Sequence, residues 1–130
     1  MDLPLESIHK LAFKAAEATY CAKDQGKYWE MHALLFENQK ALEPWSAHAE
    51  KLGLDAAAFE ACMAGGKHGP AIRADMQEAQ KVGITGTPGF VLASSDPNDP
   101  TKVKGLSFLR GAVGFDAFKA MIDGALAKLK

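Results

Sequence analysis

The chain has 130 residues, 15 basic against 16 acidic, with 48% hydrophobic residues, 24% charged residues and two cysteines. That length can bury a core without a metal staple or a dense disulfide scaffold, and the net charge of −1 excludes the gathered basic excess of an electrostatic nucleic-acid binder. Charge-free runs are broken by Gly and Pro, so no segment is expected to span a bilayer, and Met1-Asp2-Leu3-Pro4-Leu5-Glu6 has neither the basic nor the apolar region of a signal peptide.

The first two thirds of the chain read as helix. Ser7 is the expected N-cap of a first helix, with Ile8, Leu11, Ala12, Ala15, Ala16 and Thr19 on one face up to Cys21. Gly26 is placed to stop it in the left-handed conformation. A second helix is predicted over 27–38; Tyr28, Trp29, Met31, Leu34, Leu35 and Phe36 span so wide an arc that burial on most sides is expected. Pro44 opens a short helix that Gly53 closes, and Asp55 caps another through Phe59 and Cys62, ended by Gly65-Gly66. Pro70 suits the first turn of a longer helix reaching Val82, closed by Gly83.

The register then changes. Gly83-Ile84-Thr85-Gly86-Thr87-Pro88-Gly89 is too rich in glycine and proline for a helix. Gly89–Ala93 and Leu106–Arg110 alternate as strands, with Phe90 and Leu92 on one face and Leu106 and Phe108 on another. Between them, Asp96-Pro97-Asn98-Asp99-Pro100 is predicted to be a loop of plain turn chemistry; it lacks the glycine and distal glutamate of a calcium loop. A final helix is expected over 115–129, with Phe118, Met121, Ile122, Ala125 and Leu129 as its apolar face. The fold class is therefore α+β and mostly helical. Its two strands alone make a marginal sheet.

Cys21 and Cys62 form no Cys-Xaa-Xaa-Cys, zinc or iron–sulfur spacing; they are either two unrelated buried thiols or a pair. His32 is expected at the core edge, His9 at the approach to a helix, and His48 and His68 facing solvent. None has metal-ligand spacing, so no metal and no cofactor is expected. Tyr28, Trp29, Met31 and Phe36 read as core rather than as a binding box. Lys67-His68 beside Gly65-Gly66 reads as a solvated turn rather than an anion site.

Leu3-Pro4-Leu5-Glu6-Ser7-Ile8-His9, Ala15-Ala16-Glu17-Ala18 and Cys21-Ala22 resemble the start of the helical insertion in the DsbA-like family of thioredoxin-fold proteins. Gln25-Gly26-Lys27-Tyr28-Trp29-Glu30-Met31-His32, Leu34-Leu35-Phe36, Leu52-Gly53-Leu54-Asp55, Phe59 and Cys62 continue the likeness. So do Gly83-Ile84-Thr85-Gly86-Thr87-Pro88, Arg110-Gly111-Ala112, Phe118 and Ile122-Asp123. The resemblance runs over essentially the whole chain. It implies one domain over 1–130 with an incomplete thioredoxin-like fold: a helical insertion over 5–82, then a cis-proline loop, β-hairpin and helix over 83–130.

The activity implied is thiol–disulfide oxidoreduction of protein cysteines. Thr87 and Pro88 would be the substrate-binding residues, the Thr87 backbone pairing with an extended polypeptide or thiol protein. Cys21 and Cys62 match positions that hold a second, structural disulfide in a subset of relatives. The family's strand–helix–strand unit with its redox Cys-Xaa-Xaa-Cys does not occur in this sequence, so no residue here is assigned a catalytic role. The chain is read as truncated and inactive in dithiol exchange as given. The alternative is a non-catalytic polypeptide-binding or interaction module that retains the cis-proline surface. With the family's first strand missing, Gly89–Ala93 is an apolar edge expected to pair with a second copy. No nucleic acid or membrane partner is expected. Relatives are often periplasmic or exported, while this sequence carries no signal peptide.

Overall fold

The computed structural model describes residues 1–129, the last of these by its backbone alone. The apolar role expected of the Leu129 side chain, and Lys130, lie outside the described residues. The chain is α+β: α1 (Ala12–Lys23), α2 (Tyr28–Glu37), α3 (Trp45–Lys51), α4 (Ala56–Gly65), α5 (Gly69–Lys81), β1 (Gly89–Asp96), β2 (Asp99–Arg110) and α6 (Phe115–Leu129). It divides into two compact units, Met1–Gly83 and Ile84–Lys130.

In the helical unit, α1 packs against α2, α4 and α5, and α3 against α2 and α4. Ala18 and Ala22 on α1 are fully buried, and side chains this small let neighbouring helices approach closely. Met31 and Leu35 of α2, Ala49 of α3 and Phe59 of α4 close round them, with Cys21 in the same cluster. Gly26 follows α1 at φ +74°, a conformation that costs glycine little and lets the chain turn directly into α2. Asp55 caps α4, its Oδ1 accepting from the Ala58 N–H at 2.9 Å.

Three expectations for this unit are corrected. The first helix begins at Ala12, and Ser7 caps nothing. The Asp2 N–H donates to Asp75 Oδ2 at 2.8 Å while Asp2 Oδ2 accepts from the Tyr20 hydroxyl at 2.9 Å. These bonds lay the N-terminal segment along α1 and α5, so the chain must turn before α1 starts. The Ile8 and His9 N–H groups donate to Leu5 O within that turn, leaving Ile8 67% exposed.

Second, α2 is not buried all round. Met31, Leu34 and Leu35 make its inward stripe at helical spacing, whereas Trp29 and Phe36 are 72% and 64% exposed. These outer aromatics pack on each other through His32: ring centroids are 5.4 Å apart for Trp29–His32 and 4.8 Å for His32–Phe36. Third, His48 is buried, with Nε2 at 3.2 Å from Ala41 O and 3.0 Å from Leu42 O. Both partners are acceptors, so Nε2 carries the proton, and the ring closes the loop before α3.

The second unit is an antiparallel hairpin followed by α6. Its register runs from Gly89↔Arg110 to Asp96↔Asp99, with an irregularity after Leu92 that leaves Leu106 without a partner. Both strands extend further than expected, and the loop over 96–100 contracts to a turn at Pro97-Asn98. The cause is local: Asp96 Oδ1 accepts from the Asn98 N–H at 2.8 Å, and Asp99 Oδ1 accepts from the Thr101 N–H at 3.2 Å and its hydroxyl at 2.6 Å. Phe90 meets Phe118 of α6 edge-to-face at 4.9 Å.

Candidate functional site

The peptide bond Thr87–Pro88 is cis, as is Glu43–Pro44. The loop that holds Thr87 and Pro88 is fastened at both ends. The Gly111 N–H donates to Pro88 O at 2.8 Å, tying the loop to the end of β2. At Gly89 a Cβ would lie 3.0 Å from Ile84 Cγ2 and 3.5 Å from Phe108 Cε2, so a side chain here would press on Ile84 where the loop folds over the hairpin. Thr85, Thr87, Pro88, Phe108 and Arg110 line a recess of about 160 Å³. This is below the roughly 300 Å³ where small-molecule sites begin, and it suits one side chain or a stretch of extended backbone. Arg110 lies over Phe108, its guanidinium carbon 5.4 Å from the ring centroid. Thr87 and Pro88 are exposed. The Thr87 backbone has no hydrogen-bond partner among the described residues. Among the same residues β1 pairs with β2 alone, so one edge of β1 is free.

A second cluster belongs to the helical unit. Cys21 of α1 and Cys62 of α4 form a disulfide, with their Cα atoms 5.9 Å apart, within the ordinary span for such a bond. Asp24, at the end of α1, lies beside it. Its Oδ2 accepts from Lys67 Nζ at 2.8 Å and His68 Nε2 at 2.9 Å, and stands 3.9 Å from Cys62 Sγ. Lys67 first, and His68 with it, hold the Asp24 carboxyl below the usual carboxylate range by donating to its charged form. His68 is thus not solvent-facing: its side chain is 17% exposed and stacks on Tyr20 at 5.4 Å. The Tyr20 hydroxyl is pushed up to about 12 by its hydrogen bond to Asp2, with burial adding to the shift. Lys67 is committed to Asp24, so the turn at 65–68 is an ion-paired corner of the unit.

Close by, the buried Glu17 carboxylate meets Lys14 Nζ at 2.7 Å. A Cβ at Gly69 would approach Glu17 Oε1 to 3.3 Å, so the start of α5 leaves just enough room for it. Asp24, Glu17 and the Asp2–Tyr20 pair were not visible as site residues in the sequence. The one signal was a polar residue shortly after each cysteine, Asp24 after Cys21 and Lys67-His68 after Cys62. Sγ of Cys21, Sγ of Cys62 and a His68 ring nitrogen lie within 4.8 Å of one another, the two sulfurs joined in the disulfide. Spacing along the chain cannot find such a set, because α1 and α4 meet only after folding.

The sequence profile of the DSBA-like thioredoxin domain matches residues 2–123. Among curated proteins, the chain is 36% identical over 107 residues to the Na(+)/H(+) antiporter NhaA 3 of Salinispora tropica, covering 81% of this chain and 16% of that protein. It is similar to the same extent to the Na(+)/H(+) antiporter NhaA 1 of Salinispora arenicola. To the NhaA 1 antiporter of a Mycobacterium species it is 37% identical over 92 residues, 67% of this chain and 15% of the relative. The chain therefore spans about a sixth of the length of the curated relatives it matches. No solved structure matches it.

Proposed function

The chain belongs to the DSBA-like thioredoxin domain family, and on that premise we propose that it carries the polypeptide-facing part of a thiol–disulfide oxidoreductase acting on protein cysteines. The observation that supports this is the exposed Thr85–Pro88 loop running directly into the free edge of β1. An extended polypeptide adds to such an edge through main-chain hydrogen bonds, with a neighbouring recess selecting a side chain. The Thr87 backbone, unengaged among the described residues, supplies the first of those bonds.

The reacting dithiol of this reading lies outside these 130 residues. Exchange requires an accessible, low-pKa thiolate with a resolving thiol beside it. Cys21, 2% exposed and bonded to Cys62 across the helix packing, serves as a crosslink. The exchange activity in the antiporters' names is not carried over to this chain. It spans a sixth of those proteins, and no described helix is long and apolar enough to cross a membrane.

The test is to titrate isotope-labelled protein with an unfolded, cysteine-containing polypeptide and follow its amide resonances, alongside insulin reduction by the same sample. Shifts concentrated over 85–93 without insulin turnover are expected. Shifts confined to the helical unit, or turnover by this chain, would overturn the reading. A non-catalytic interaction module is the second reading, favoured by the absence of Cys-Xaa-Xaa-Cys from the sequence. In-frame DNA encoding a strand and Cys-Xaa-Xaa-Cys upstream of Met1 decides for the first reading, and its absence decides for the second. The same free edge, with Val91 half exposed, is proposed to pair with a second copy when no polypeptide is bound. A monodisperse monomer at micromolar concentration by light scattering would sink that pairing.

A further inference from the structure

We propose that reduction converts the Cys21–Cys62 crosslink into a metal site, in which the two thiolates and His68 bind a borderline-soft divalent cation of the Zn²⁺ type. This rests on the helical unit alone and is independent of the polypeptide-binding reading. Three donor atoms of the right chemistry already lie within 4.8 Å of one another. Thiolate and imidazole together select zinc-like ions over magnesium or calcium. Tetrahedral zinc with sulfur at about 2.3 Å places two sulfurs roughly 3.8 Å apart. Cysteines with Cα atoms 5.9 Å apart reach that separation by side-chain rotation once the S–S bond is broken.

The surroundings fit a bound cation as well. Asp24 Oδ2 holds His68 Nε2 at 2.9 Å and stands 3.9 Å from Cys62 Sγ, so the carboxylate braces the ring at the edge of the donor set. A carboxylate behind a ligating histidine sets the tautomer and ring orientation and raises ligand basicity. Lys67, also facing the cluster, is balanced by Asp24 at 2.8 Å, so the two thiolates remain to balance the dication. Three protein donors leave the fourth tetrahedral position for water.

The chemistry balances in two steps. A dithiol donor gives two electrons and two protons to the disulfide and is itself oxidised to a disulfide. The cation then displaces both thiol protons to solvent as two metal–sulfur bonds form. The same two cysteines would thus hold α1 to α4 covalently when oxidised and through the ion when reduced.

The full chain would be reduced anaerobically with a phosphine, freed of reductant and titrated with Co²⁺, then with Zn²⁺. The expected result is thiolate-to-cobalt charge-transfer absorption with d–d bands of tetrahedral intensity, saturating at single-site stoichiometry and bleached by Zn²⁺. The unreduced protein should show neither. Asp24→Ala should weaken binding by about 10–100-fold, and His68→Ala by at least as much, with loss of the tetrahedral d–d intensity. Far-UV circular dichroism of the reduced chain, and a melt of oxidised His68→Ala, report on the fold. Absence of charge-transfer absorption, or unchanged affinity in His68→Ala, would overturn the proposal. So would a reduced chain whose helical signal is lost and is not restored by zinc.

Discussion

The helical unit buries an apolar set running from Ala18 to Ala79, while no described residue of the hairpin–helix unit is buried. Both contain ample hydrophobic side chains, so composition is not the difference. In the first unit, helices approach α1 from several sides and each apolar stripe finds a partner. In the second, a hairpin has two faces and two edges, and one helix can cover at most one face. Phe90 and Phe118 meet on the covered side, whereas Val91, one residue on and therefore on the opposite face, is 50% exposed, and Val103 is 68% exposed. Burial depends on how many elements can converge, not on how apolar each one is.

This contrast can be broken by substitution. Phe59, 1% exposed, should cost about 3–5 kcal/mol as Phe59→Ala. Phe90→Ala, which loses the contact with Phe118, should cost only about 0.5–1.5 kcal/mol. Urea unfolding followed by far-UV circular dichroism compares them, and equal losses would erase the distinction. Next is the crosslink. Replacing Cys21 and Cys62 together by alanine frees a loop closed over 41 residues, worth roughly 4 kcal/mol in the chain-entropy account. Hydrogen exchange should accelerate before Gly83 and stay unchanged over 89–110. Acceleration in the hairpin would show that the two units are not energetically separate.

A smaller effect is expected at Lys14→Met, which strips the buried Glu17 carboxylate of its cation and should cost about 1–3 kcal/mol in the same unfolding experiment. Smallest are the titrations, both confined to the helical unit. Tyr20 has a raised folded pKa, so its contribution is complete below about 10. It is lost as pH rises towards about 12. Asp24 has a depressed one, so its contribution is present above the ordinary carboxylate range and is lost as pH falls through the lowered value. Melts of the protein against Tyr20→Phe and Asp24→Asn check these windows. A Tyr20→Phe difference that persists unchanged above pH 12 would contradict the first.

Some of this was legible residue by residue. Gly26, Asp55 and Pro70 act through their own backbone or the next turn, so the ends of α1, α4 and α5 could be read locally. The final helix over 115–129 was legible because its apolar spacing needs no partner to define it. Ser7 misled because a cap forms only if the following residues are free to wind, and Asp2 is held by Asp75 and Tyr20. Trp29 and Phe36 misled because hydrophobicity does not tell an inward stripe from an aromatic flank that packs on its own neighbours. Asp96–Pro100 contracted because side-chain acceptors at Asp96 and Asp99 closed a tight turn.

The candidate sites divide in the same way. Thr87 and Pro88 stand out in sequence because glycine and proline mark a loop before a strand. His48 and His68 did not, because a histidine's role depends on which groups surround it. Taken alone, the sequence determined the α+β class, the helix boundaries set by glycine, proline and aspartate, and the absence of Cys-Xaa-Xaa-Cys; each follows from interactions within a few residues or from counting. Only the tertiary structure decided that the Cys21–Cys62 disulfide lies beside Asp24 and His68, and that His48 is buried against the loop before α3. These depend on which elements face one another, and contacts between residues about 40 apart are set by packing rather than by local pattern.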